Sequence, residues 1–151
     1  MKPWRAATAS DPLLTTLAEF RHELRRFLHF SECVALEAGL QPQQHQLLLQ
    51  VAGAPESAPV TIAYAAERLG LKHNSTVELV DRSEREGLLT RTADPSDKRR
   101  AILELTGKGR RLLERLASDH AKELKIRAPR LIEALESVRS QANSVAGTGA
   151  R

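Results

Sequence analysis

Cysteine and aromatic residues are scarce in this sequence, and it has no long apolar run. The one cysteine, Cys33, excludes an internal disulfide, so we expect a protein of the reducing cytoplasm. No apolar stretch approaches the roughly 20 residues that a membrane span needs. The first residues, MKPWRAATASD, lack the apolar segment of a secretory signal. Aromatic residues make up only 3% of the chain, so the core must consist mainly of Leu, Ala, Val and Ile.

The totals fit one domain-sized chain that is mildly basic. The chain has 151 residues, of which 41% are hydrophobic, and its formal net charge is +4. This charge permits a polyanionic partner without requiring one. The sequence contains no Gly-rich phosphate loop, no nucleophile elbow and no HExxH motif. We therefore expect no enzymatic activity and no cofactor.

Helical spacing of apolar residues dominates the chain. Asp11-Pro12 is typical of a helix start, and Gly39 of a helix end. Three more helices are predicted, from Pro42 to about Gly53, from Thr61 to Gly70, and from about His73 to Gly87. The last two are joined by a short turn at a glycine, which is typical of a helix-turn-helix.

A β-hairpin is predicted after these helices. The stretches LLTRTA (88–93) and RAILEL (100–105) flank the turn residues Asp94-Pro95-Ser96-Asp97. Thr106 then caps a Leu-rich helix, with a break expected near Pro129. The predicted fold is mostly α with a small β-wing. Its segments are a flexible arm (1–10), dimerisation helices (11–40 and 107–140), a winged helix-turn-helix lobe (41–106) and a disordered tail (141–151).

The second helix of the pair carries polar side chains suited to base edges and phosphates. Asn74, Ser75, Glu78 and Arg82 share one face at helical spacing. Glu78 can accept a hydrogen bond from a cytosine amino group, or it can hold Arg82. The alternative is an ordinary solvated helix face. The candidate DNA-binding residues of this helix are His73, Asn74, Ser75, Thr76, Glu78 and Arg82.

The hairpin tip places cations beside acids. A helix-turn-helix followed by a basic hairpin is a winged helix, whose wing reaches the DNA backbone and the minor groove. We expect Asp94 to close the turn through its own backbone. Asp97 lies two residues before Arg99 and can orient that guanidinium before DNA arrives. The candidate DNA-binding residues of the wing are Arg91, Asp97, Lys98, Arg99 and Arg100.

Over residues 13–140 the sequence resembles the MarR family of bacterial transcriptional regulators. The resemblance rests on AAERLGLKHNSTVELVDRSEREGLL and on DPSDKRRAILELTGKG, in which Asp-x-Arg precedes Leu-Thr-x-x-Gly. It implies a homodimeric repressor that binds a pseudo-palindromic operator, released by a small effector that is often aromatic or phenolic. Three positions depart from the family pattern: Gln41 weakens a helix cap, while Ser83 and Ala65 replace larger apolar residues.

Leu-rich terminal helices support a homodimer independently, because one chain has little else to cover them. His29 and His45 are candidate polar groups of an effector pocket. Cys33, His45 and His120 are weaker candidates for a zinc site, and Cys33 is either a structural residue or a thiol sensor. A metal- or thiol-responsive regulator of the same fold is thus one alternative. A winged-helix module for protein contacts, without an effector, is another.

Overall fold

The computed structural model describes residues 11–148, with side chains through residue 144, and this part is mostly helical. The predicted fold class, helices with a small β-wing, is confirmed. The predicted arm (1–10) lies outside the described residues, as do residues 149–151. The elements in chain order are α1 (Pro12–Glu37), α2 (Pro42–Ala52), α3 (Ile62–Leu69), α4 (His73–Arg85), β1 (Leu89–Ala93), β2 (Ala101–Leu105) and α5 (Gly107–Thr148).

Side-chain caps begin three of the helices at the predicted positions. Asp11 Oδ1 accepts a hydrogen bond from the Leu13 N–H (2.9 Å), and Thr61 Oγ1 accepts one from the Tyr64 N–H (3.2 Å). Thr106 Oγ1 accepts a third from the Gly109 N–H at 3.0 Å. Such bonds satisfy N–H groups that a helix leaves unpaired in its first turn.

The first turn of α2 is held by Gln44 as well as by its N-cap residue Gln41. Gln44 is buried, and its Oε1 accepts a hydrogen bond from the backbone N–H of Gln41 (3.0 Å). Its Nε2 donates to Glu86 Oε2 just after α4 (2.9 Å). One amide therefore secures the start of α2 and ties it to the end of α4.

β1 and β2 pair antiparallel, with Arg91 opposite Leu103. The other edge of β2 is also used, since the Leu103 N–H donates to the Val60 carbonyl (2.8 Å) and Thr61 forms a bridge to Ile102. This additional pairing was not predicted. It anchors the wing to the segment that leads into α3.

The core is aliphatic, as the composition predicted. Its fully buried members include Leu47, Leu48, Val80, Leu103 and Leu116. The two departures from the family pattern that fall here, Ala65 and Ser83, are both completely buried. Ser83 is compensated within its own helix, because its Oγ donates to the Leu79 carbonyl at 2.9 Å.

α5 corrects two expectations. It continues through Pro129, where a break was predicted, and it reaches Thr148, past the predicted start of a disordered tail at residue 141. A proline removes one backbone hydrogen bond and can kink a helix without ending it. Extending an existing helix also needs no new nucleus, so the small and polar residues after Ser140 can remain helical.

The chain divides into two compact units. One contains residues up to Phe30 and from Ala121 onwards; the other is Ser31–His120, which holds the helix-turn-helix, the wing and the core. Within residues 11–148, none of the helices is both long enough and apolar enough to cross a membrane.

Candidate nucleic-acid interface

The exposed face of α4 carries five of the six residues of this helix that were predicted to bind DNA. His73, Asn74, Ser75, Glu78 and Arg82 are all exposed. α4 follows α3 through Gly70, whose φ of +64° is readily adopted by glycine and lets the chain turn sharply. The helix pair therefore presents this polar face to solvent.

Thr76 is a correction to the predicted set. Its side chain is completely buried, and its Oγ1 donates to the Lys72 carbonyl one turn earlier (3.0 Å). The buried stripe of α4 contains Thr76, Leu79, Val80 and Ser83. Thr76 thus belongs to the packing face, and its hydroxyl has its partner within the helix.

The wing turn is closed by Asp94, as expected. Asp94 Oδ1 accepts hydrogen bonds from the Ser96 N–H (2.8 Å) and from the Ser96 hydroxyl (2.7 Å). These bonds, together with the charge of Arg100, hold the pKa of the Asp94 carboxyl below its ordinary value. Asp94 therefore stays ionised and stabilises the turn.

Arg99 is a highly exposed cation of the wing tip, and its side chain is oriented by a contact with Asp97. Its side chain is 91% exposed, yet its Nε lies 3.2 Å from Asp97 Oδ1. The same oxygen accepts the Arg99 backbone N–H at 3.1 Å. The contact expected between these residues is thus present. Lys98 beside them is exposed as well.

The other two arginines of the wing are bound within the protein. Arg100 Nη2 lies 2.8 Å from Asp94 Oδ2, which places Arg100 on the turn. Arg91 Nη2 lies 2.8 Å from both Glu84 Oε2 and Asp81 Oδ1 on α4. Sequence patterns gave all wing cations one role, whereas in the structure Arg91 and Arg100 are paired with acidic side chains of the protein.

The link between Arg91 and Glu84 is electrostatically strong for a partly exposed pair. Hydrogen bonds from the Arg91 side chain are the main cause that lowers the pKa of the Glu84 carboxyl. The same hydrogen bonds raise the pKa of Arg91. Both groups therefore remain charged near neutral pH, and the wing stays bound to α4.

Gly109 is a functional support that the sequence reasoning did not single out. A Cβ at this position would lie 2.0 Å from the Leu88 carbonyl oxygen, so only glycine allows α5 to pass so close to the residue before β1. Lys108 Nζ also donates to the Glu86 carbonyl at 2.8 Å. The Leu-Thr-x-x-Gly pattern was the available signal: Thr106 supplies the cap and Gly109 the close approach.

The candidate effector histidines lie in different surroundings. His29 is exposed on α1, in the unit that includes residues up to Phe30. His45 is buried in the other unit, and its ring centroid lies 4.8 Å from that of His120. Burial, and then the neighbouring His120, lower the pKa of His45 to about 4. The ring is therefore neutral at physiological pH.

The metal alternative is not supported in residues 11–148, where no three His, Cys, Asp or Glu side chains are placed to hold an ion. Both ring nitrogens of His120 are used: Nδ1 contacts the Leu116 carbonyl at 2.6 Å and Nε2 the Ser31 hydroxyl at 2.8 Å. Cys33 is half-buried on α1. Of Cys33, His45 and His120, the two histidines contact each other through their rings.

Residues 38–100 match the model of the MarR family. A putative transcriptional regulatory protein for the hcr operon of Thauera aromatica is 27% identical over 96 residues, which are 64% of this chain and 56% of that protein. The chain thus spans little more than half the length of this relative. The structure of the transcriptional repressor CouR bound to a 23-mer DNA duplex is 31% identical, with 87% of this chain and 89% of that chain covered and a TM-score of 0.57.

The fold is also shared with more distant proteins. AbsC, a MarR family transcriptional regulator from Streptomyces coelicolor, covers 95% of this chain at a TM-score of 0.70, with 99% of its own chain matched and 17% identity. Fold and interface together define a winged helix-turn-helix protein. This chain belongs to the MarR family of transcriptional regulators.

Proposed function

We propose that this protein is a homodimeric, sequence-specific DNA-binding repressor that a small molecule releases from its operator. The observation that carries the proposal is the pairing, within one unit, of an exposed polar helix face with a rigidly built cationic wing tip. The relative CouR, whose structure holds a DNA duplex, supports the same role. The protein would act in the cytoplasm, on the nucleoid when bound to DNA.

α4 is the element that would enter the major groove. Asn74 and Ser75 lie at its N-terminal end, where recognition helices of this class contact base edges. Asn can form a bidentate pair with adenine, and Arg82 can pair with guanine or phosphate. Glu78 would either accept from a cytosine amino group or orient Arg82, the two roles left open by the sequence.

The wing tip would contact the backbone and the adjacent minor groove. Lys98 and Arg99 are exposed there, and Asp97 limits the conformations of the Arg99 side chain. Less conformational entropy is then lost on binding. A narrow minor groove attracts such a cation by its negative potential.

The lack of a core in the described part of the first unit supports dimerisation. In the described part of the first unit (11–30 and 121–144), no apolar side chain is fully buried. Several large ones on α1 and α5 are exposed, namely Leu14, Leu17, Leu28, Leu124, Ile126, Ile132 and Leu135. A second copy would cover them. Two α4 helices would then lie about 34 Å apart and recognise a pseudo-palindrome with half-sites about 10 bp apart.

The effector part of the proposal is supported by His45. Its Nδ1 is buried without a hydrogen-bond partner among the described residues, although buried polar groups are normally paired. A neutral imidazole can donate to or accept from a phenolic or carboxyl group. An aromatic effector would release the operator by binding better to a conformation that binds DNA poorly.

Selection from random DNA, followed by titration of the selected duplex at fixed salt, tests the DNA-binding role. We expect one palindromic sequence from the wild type and altered half-sites from Asn74→Ala and Glu78→Ala. Thr76→Val is the matched control on the buried side of α4 and should keep the wild-type preference. Enrichment of no sequence by the wild type would overturn the proposal.

A further inference from the structure

Glu23 is the only fully buried residue in the described part of the first unit, and it is a carboxylate. It is 7% exposed, whereas no other residue of 11–30 or 121–144 is buried. Its Oε2 has no hydrogen-bond partner among the described residues. Its Oε1 lies 3.6 Å from Nη1 of the half-exposed Arg26, which is too far for a strong hydrogen bond. A buried charge with such weak pairing is costly. A further cation beside Glu23 would offset this cost.

Glu23 lines a cavity of about 350 Å³ between α1 and α5 whose polar groups are nearly all acceptors. Glu19 and Glu133 also line it. The hydroxyl groups of Thr16 and Ser137 donate to carbonyls of their own helices, at 3.0 and 2.9 Å, so they present lone pairs to the cavity. This cavity, named here the Glu23 cavity, is complementary to a group with several N–H donors.

Arg130 is the one cationic side chain that lines the Glu23 cavity. Among the described residues it makes no ion pair, and it is exposed. It also borders a neighbouring basic cavity with Arg26 and Arg127. The same pair of helices thus presents one cavity rich in acids and one rich in arginines, with Arg130 in the lining of both. Two copies related by a twofold axis can match such surfaces.

We propose that Arg130 of each copy enters the Glu23 cavity of the other copy and fixes the register of the dimer. This proposal rests on the homodimer proposed above. The cavity is embedded in the surface that the dimer would cover: exposed Leu14 and Leu17 flank its α1 side, and exposed Ile132 and Leu135 its α5 side. Apolar helix surfaces alone specify register weakly, and a buried polar pair penalises every other alignment.

A mixing experiment with Glu23→Arg and Arg130→Glu chains tests this proposal. Each variant alone places like charges in both symmetric sites, so its homodimer dissociation constant should rise about 100-fold or more. In a mixed dimer both sites are complementary again, one native and one reversed. Native mass spectrometry of the co-refolded mixture should therefore show the mixed dimer almost exclusively, with an affinity close to that of the wild type.

An ion pair within one chain gives a different result, because the mismatch then stays inside each variant and mixing relieves nothing. Glu114→Arg, an exposed carboxylate of α5 in the other unit, is the control and should mix at random. Random mixing of the Glu23 and Arg130 variants would overturn the proposal, as would homodimers as tight as the wild type. Stabilisation of the wild type, but not of Glu23→Gln, by methylguanidinium together with random mixing would assign the cavity to a free cation.

The wild type measured alone separates the two levels of inference. A monomeric wild type at micromolar concentration would refute the homodimer itself. A dimeric wild type whose variants mix at random refutes only the role of Glu23 and Arg130. Far-ultraviolet circular dichroism of each variant checks that the helices of Ser31–His120 are retained.

Discussion

Arg91 on the wing and Glu84 on α4 are joined by three hydrogen bonds. The Arg91 side chain donates to Glu84 Oε2 through Nε (3.1 Å) and Nη2 (2.8 Å), and its backbone N–H donates to Oε1 at 3.1 Å. The side chain and the backbone of Arg91 thus both donate hydrogen bonds to the Glu84 carboxylate. This contact ties α4 to the wing.

Arg91→Met should lower the free energy of unfolding by about 1 kcal/mol, because the pair is partly exposed. Arg91 lowers the pKa of Glu84 below its ordinary 4.5 in the folded protein. The contribution is therefore complete above that ordinary pKa and is lost as pH falls through the lowered one. Urea unfolding at pH 7 and pH 3 should show the difference between wild type and variant shrinking at acid pH. An unchanged difference would contradict this account.

Gly109→Ala should destabilise the fold by about 1–3 kcal/mol, the usual cost of forcing extra atoms into a packed site. The added Cβ would meet the backbone carbonyl of Leu88, which cannot move without displacing β1. Gly107→Ala is the matched control, since its Cβ would meet only the flexible end of Arg111 at 3.2 Å. Thermal unfolding of both variants distinguishes steric conflict from a general effect of alanine, and equal melting temperatures would disprove the close approach.

Arg99→Ala should weaken operator binding by about 1–3 kcal/mol. Asp97→Ala should weaken it as well, although it removes a negative charge near DNA, because Arg99 then loses its orientation. Glu104→Ala removes an exposed acid from β2 and serves as the control for charge alone. Titrations at one salt concentration, including the double variant, should give effects that are not additive. Tighter binding by Asp97→Ala would show that its charge outweighs its positioning role.

His45 should make the protein less stable as pH falls below 6.5. Burial, and then His120, lower its pKa from 6.5 to about 4 in the folded state, so the unfolded chain binds the proton first. The full effect is on the order of 3 kcal/mol. His45→Leu should flatten the pH dependence of urea unfolding between pH 6.5 and 4, whereas the exposed control His22→Leu should leave it unchanged.

Local signals were sufficient for the order of the elements. Asp11, Thr61 and Thr106 begin helices where their types predict, because capping depends on neighbouring atoms alone. The hairpin followed from Asp94 and Pro95 for the same reason. The local signals did not predict that α5 continues through Pro129. A proline alone does not decide whether a helix that is already formed ends there.

The sequence predicted which elements carry the candidate DNA-binding residues. It did not predict which of these residues are buried or paired within the protein. Thr76 was predicted to bind DNA together with its polar neighbours, but it is buried, because burial depends on how α4 packs in three dimensions. Arg91 and Arg99 look equivalent in the sequence. They differ because Glu84 and Asp81 lie on another element that faces only one of them. Such contacts between different elements could not be predicted, because they depend on how the elements pack against each other.

The absence of buried apolar side chains from the described part of the first unit has a consequence for gene control. On the proposed dimer, folding of that unit and pairing of two chains are one event, so the folded fraction depends on protein concentration. At low expression the amount of active repressor would rise with the square of the number of chains. The occupancy of the operator would then rise steeply with the rate of protein synthesis. It would be low in a cell with few chains and high above a narrow range of synthesis rates.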